Sequence, residues 1–197
     1  MIVGVGVVVL VYGYPVLLFQ PVAPAWAAWL KPIAYASGIL LLATGLGLLF
    51  GRSARVAIRI LLPFLLLWLL TRLPAVPADP FREISYFAVG EVAVPFAGAL
   101  VLFVWQAETG TGSALHRIAV DHGLTIARIL VGLSVPTFGL SHFFEFAART
   151  VSLVPHWLPY PTAWADLAGA AQVAAGLGVL FSVYPRWAAA AEAAMLS

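Results

Sequence analysis

Residues 139–159 read GLSHFFEFAARTVSLVPHWLP and set His142, Glu145, Arg149 and His156 close together in an otherwise apolar stretch. An imidazole can donate a hydrogen bond to a carbonyl oxygen and pass a proton on, and a carboxylate or guanidinium beside it sets its charge. At about 100° per residue, the first three of these side chains share one face of a continuing helix. Glu145 and Arg149 have the i,i+4 spacing of a helical ion pair. Two readings compete. One is a capping and anchoring network that ties the helix end to the PHWLP loop. The other is a shallow pocket for a small amphiphile, with His142 as donor, Glu145 or Arg149 setting its charge, and Trp157 and Tyr160 as flat walls. His142, Glu145 and His156 are nominal metal ligands, but one HxxE and a distant histidine do not make a ligand set, so no metal is expected.

Further polar residues lie within apolar runs. Glu91 has no basic residue four positions away in sequence, Arg128 stands at the start of an apolar run, and Asp166 and Gln172 share a later one. An acid within a membrane span is a functional candidate by default, though pairing across helices is the plainer account of Glu91. Asp166, near a helix start, suits the helix dipole.

The elements that must position these residues are membrane helices. Of 197 residues, 63% are hydrophobic and 9% charged, with mean hydropathy +1.02. A soluble domain is nearer about 25% charged. The chain is therefore an integral membrane protein, with the bilayer as its solvent. Its ten Lys/Arg are scattered rather than striped, which argues against nucleic acid as a partner. The absence of cysteine excludes disulfides and thiol chemistry by this chain. Apolar runs long enough to span, or nearly so, cover residues 2–19, 33–50, 57–70, 84–105, 126–146 and 164–181, with a seventh starting near Trp187. The fold expected is all-α, a polytopic bundle of six to seven membrane helices. Ala23-Pro24-Ala25 looks like a signal-peptide cleavage site, but no basic region leads it.

One unit is written twice. SGILLLATGLGLLF (37–50) aligns without a gap to AGAAQVAAGLGVLF (168–181) at an offset of 131, which also pairs Pro24 with Pro155, Trp26 with Trp157, Arg55 with Arg186 and Ala57 with Ala188. Upstream, 12–19 matches 138–145 at an offset of 126, placing Val16 and Phe19 against His142 and Glu145. The expected division is a first four-helix unit over 1–105, a polar linker over 106–123 containing ETGTGS, and a second unit over 124–197. Ser197 corresponds to Leu66, so a second unit truncated at its C-terminus is expected, a seven-helix protein being the alternative. Gly38, Gly45 and Gly47, with Gly169, Gly176 and Gly178, give small-residue surfaces for close helix packing. A homo-oligomer stays open. Six arginines against four basic residues on the other side favour a cytoplasmic N-terminus in a bacterial-type inner membrane.

GLSHF followed by VPHWLP, then WADLAGAAQVAAGLGVL and PRWAAAAEAAML, resembles the DoxX-like family of small four-helix membrane proteins, and the first unit follows the same order more loosely. The resemblance implies association with membrane oxidoreductases, including quinone-linked ones. The leading expectation is a redox-associated subunit that binds quinone or a similar lipid-soluble molecule and docks with a partner oxidoreductase. No other cofactor is evident, and no self-contained catalytic constellation is present. The alternatives are a small-molecule transporter, with Glu91 at its site, or a structural assembly factor.

Overall fold

The computed structural model describes residues 1–14, 28–107 and 114–195. In chain order the helices are α1 (Ile2–Tyr12), α2 (Leu30–Leu48), α3 (Gly51–Arg72), α4 (Ala75–Ala78), α5 (Glu83–Gln106), α6 (Ala114–Leu140), α7 (Ala147–Ser152), α8 (Pro161–Leu180) and α9 (Pro185–Met195). No strand occurs among the described residues. Hydrocarbon offers backbone groups no partner, so a spanning segment must satisfy its own, as a helix does. Among the described residues, five helices are long and apolar enough to cross a membrane. The first and last of the expected spans are helices of 11 residues in the described part. Pro63, Pro95 and Pro136 lie inside helices, where membrane helices tolerate them better than soluble ones do.

Three boundaries differ from the sequence reading. The helix expected over 57–70 begins at Gly51, so Arg52 and Arg55 join Arg59 within α3. The expected linker is helical from Ala114 onward; the ETGTGS stretch lies outside the described residues. Arg128 therefore lies inside a helix rather than at its start. The helix expected to run to 146 stops at Leu140. Past that point His142 N–H bonds Gly139 O and Phe143 N–H bonds Leu140 O, the tighter i→i+3 pattern of a helix end. Thr137 and Ser141 hydroxyls donate to the carbonyls of Ser134 and Phe138, competing with helical donors there.

The chain divides into two compact units, Met1–Pro74 with Pro95–Leu124, and Ala75–Val94 with Thr125–Ser197. In the first, Val9, Leu41, Ile58, Leu61 and Leu65 form a sealed core, while Val56, Leu67 and Leu70 of α3 face outward. Large aliphatic side chains on an outer face suit lipid and would be a liability in water.

Glycines set how closely the helices approach. In the first unit a Cβ on Gly6 would meet Leu42 N at 2.8 Å, one on Gly45 would meet Val3 N at 3.0 Å, and one on Gly47 would meet Ala57 Cβ at 3.0 Å. In the second, a Cβ on Gly139 would meet Val173 N at 2.8 Å, one on Gly176 would meet Pro136 N at 3.0 Å, and one on Gly178 would meet Ala188 Cβ at 3.1 Å. Gly38 faces Val9, and Gly169 faces His142. These contacts pair 6 with 139, 3 with 136 and 9 with 142, an offset of 133 for the first helix. Val9 thus faces a glycine of α2 as His142 faces one of α8; Val16 and Phe19, which the expected offset of 126 sets against His142 and Glu145, lie outside the described residues.

Candidate functional site

The second unit gathers four of its ten charged residues, Asp79, Arg82, Glu83 and Glu145, at the end where α5 begins and α6 stops. Asp79-Pro80-Phe81-Arg82-Glu83 leads into α5, and residues 141–146 form the turn after α6. Arg82 Nη2 donates to Glu145 Oε1 at 3.3 Å, and its Nε lies 3.9 Å from Asp79 Oδ2. Glu83 Oε2 accepts the backbone N–H of Glu145 at 2.8 Å. Tyr86 Oη donates to Pro80 O at 2.9 Å and pins the entry loop. Phe87 packs on Phe138 and Phe146, with ring centroids 5.0 and 5.4 Å apart. Gly90 lets the Phe138 edge approach, since a Cβ there would lie 2.9 Å from Cε1.

This arrangement leaves a groove of about 470 Å³ lined by Phe81, Arg82, Glu83, Tyr86, Leu140, Phe144 and Glu145, among others. The volume is in the range of small-molecule sites. Arg82 and Glu145 side chains are 58% and 42% exposed, so their ion pair is worth about 0–1 kcal/mol and can open for a ligand. Arg82 carries five N–H donors, and its two acid partners do not use them all. Glu83 Oε1 is shut off from solvent and has no hydrogen-bond partner among the described residues. Phe81 is 97% exposed.

The residues singled out from the sequence are dispersed by this fold. Glu145 lines the groove, but its charged partner is Arg82, 63 positions away, and not Arg149. Arg149 lies exposed on α7. The shared helix face drawn for His142, Glu145 and Arg149 does not form, because the helix ends before all three. His142 turns instead to α8, its Nδ1 2.8 Å from Ala165 O. A carbonyl only accepts, so that nitrogen carries the hydrogen, leaving Nε2 of the neutral ring as an acceptor. His156, Trp157 and Tyr160 lie exposed on the loop before α8, with Tyr160 at φ 57° as its N-cap. No group of three His, Asp or Glu residues suited to a metal comes together among the described residues.

Glu91 is half-buried on α5. Asp166 sits past the first turn of α8, which contains no acid. Gln172 lies half-buried on the α8 face that also carries Gly169 and Gly176, and its Oε1 is closed off with no partner among the described residues. At the matching positions of the first unit stand Val9 for His142 and Leu41 for Gln172, both fully buried. Arg82 and Glu83 escaped the sequence reading as site residues. The signal for them was a charged run, DPFRE, at the mouth of an apolar span.

The family model described as DoxX matches residues 123–197. No curated protein and no solved structure matches the chain significantly. The matched segment holds His142, Glu145 and all of α8, and in that segment this membrane protein is similar to the DoxX family, while Arg82 and Glu83 of the groove lie outside it.

Proposed function

We propose that the protein is a redox-associated membrane subunit that takes a quinone, or a similar lipid-soluble molecule, into the groove of its second unit. A partner oxidoreductase would carry the redox centre. The observation that supports this reading is the groove itself, which joins aromatic walls to an arginine with N–H donors to spare and to two carboxylates. A quinone ring is flat and apolar and presents carbonyl acceptors, which Arg82 can meet. Reduction to the quinol takes two electrons and two protons. The electrons would come from the partner, and Glu145 and Glu83 are carriers for the protons. The recurring glycine contacts support reading the chain as two DoxX-like units, with polar chemistry kept in the second.

The test is to purify the chain gently from membranes and quantify bound quinone against an Arg82→Ala variant treated identically. Loss of a charge-assisted hydrogen bond should lower retention by about tenfold. Equal traces in both would remove the quinone reading and leave transport or assembly in front. Capture of an oxidoreductase on the wild-type chain in the same membranes tests the partner separately.

A further inference from the structure

The two units differ in charge as well as in polarity. By sequence the first holds Lys31, Arg52, Arg55, Arg59, Arg72 and Arg117 against only Glu108 and Asp121. The second holds six acids and four arginines. Three cations of the first unit, Arg52, Arg55 and Arg59, are spaced i, i+3, i+7 and so lie within about 60° of one another around α3. All three are exposed, on the side that also presents Val56 and Ile60. Cations on an apolar, outward face at a helix end meet the anions of a bilayer, which are lipid phosphates. Arg59, about 12 Å along the helix, reaches them by extending its stem toward the interface.

A cavity of about 620 Å³ opens beside Arg55, between the end of α2, the start of α3 and the end of α5. Arg55 lines it, with Leu48 and Leu49 as apolar walls and Trp105 and Gln106 at the α5 end. Trp105 is 82% exposed, the placement of an indole at a membrane–water boundary. The Gln106 Oε1 is closed off and has no hydrogen-bond partner among the described residues. A buried acceptor without a donor calls for an explanation such as a water or ligand, and rotation of the amide would offer it to the cavity.

We propose that this cavity binds the head group of a glycerophospholipid that is anionic and bears free hydroxyls, as phosphatidylglycerol does. The phosphodiester lies against Arg55, a head-group hydroxyl donates to Gln106 Oε1, and the acyl chains run along the apolar side of α3. The site lies in the first unit and is independent of the groove that carries the quinone reading. A soluble phosphate monoester shares the anionic chemistry but has no chains for that face, so the lipid is the occupant assigned.

The test is native mass spectrometry of the full chain released from nanodiscs holding equal phosphatidylglycerol and phosphatidylcholine. Wild type should retain phosphatidylglycerol roughly fivefold over phosphatidylcholine, and Arg55→Gln should remove most of that preference. Arg186→Gln, the matching arginine of the second unit, should leave it unchanged. Gln106→Leu should erase any preference for phosphatidylglycerol over phosphatidic acid. Equal retention of the first two lipids by wild type would overturn the proposal, whatever the variants do. So would equal losses in Arg55→Gln and Arg186→Gln, which would mean diffuse charge. Displacement of the lipid by glycerol 3-phosphate alone at matched concentration would overturn the lipid assignment in favour of a soluble anion.

Discussion

His142 and Val9 stand at matching places against a glycine of the next helix, and this fixes what the imidazole contributes to stability. Its bond to Ala165 O is a single neutral hydrogen bond, worth about 0.5–1.5 kcal/mol net. The first unit holds the same position with an aliphatic side chain that is fully buried. His142→Val should therefore shift the apparent melting temperature in detergent by about 1–6 °C. A drop several times larger would mean that the ring is a structural keystone rather than a polar replacement the fold tolerates. At this scale the sequence was only partly legible. Glu145 stood out as an acid in an apolar run, but its partner lies 63 positions away. Local spacing carries no information about a cation delivered by another helix. The pairing drawn with Arg149 was a sound helical expectation applied to residues that had already left the helix.

Among the elements, apolar run length located the spans well, because a segment crossing hydrocarbon has little choice but to be helical. Their ends were harder to place. Amphipathic turns such as those opening α6 are polar enough to pass for a linker, while Ser, Thr and Gly near Leu140 stop a helix that stays apolar beyond it. Close approach between helices was legible as small residues, although its register was not, since Leu, Ala and Val align equally well at several offsets. The contacts make a sharp contrast testable. Gly139→Ala places a methyl about 2.8 Å from Val173 N. Backbone cannot yield as a side-chain tip can, so the change should destabilise the chain by about 1–3 kcal/mol. Gly98→Ala, on α5 with nothing within 4 Å of the added carbon, should be neutral or slightly stabilising. Thermal unfolding of both variants in one detergent decides it. Equal effects would show that tightness at these glycines does not control packing.

For the whole molecule, the family match and the compact units do not coincide. The match covers 123–197, whereas the second unit also draws on Ala75–Val94. That stretch brings Glu83 to the groove and Phe87 and Gly90 to the packing on Phe138. A fragment of residues 123–197 alone should therefore be poorly folded in detergent, and co-expression of 75–94 should restore protease resistance. A fragment that is just as resistant without the added helix would show that the matched segment is self-sufficient.

The same discontinuity imposes an order on biogenesis. Residues 75–94 leave the ribosome well before residues 134–146, against which they pack. At roughly 5–20 residues per second, that is a wait of about 3–10 s. Throughout it the carboxylates of Glu83 and Glu91 must be accommodated at or in the bilayer without the second half of their unit. The first unit has no such interval beyond residue 124. An insertase or chaperone that shelters a half-made hairpin would thus act on one particular stretch of this chain, and depleting it should trap nascent protein stalled between those two points of synthesis.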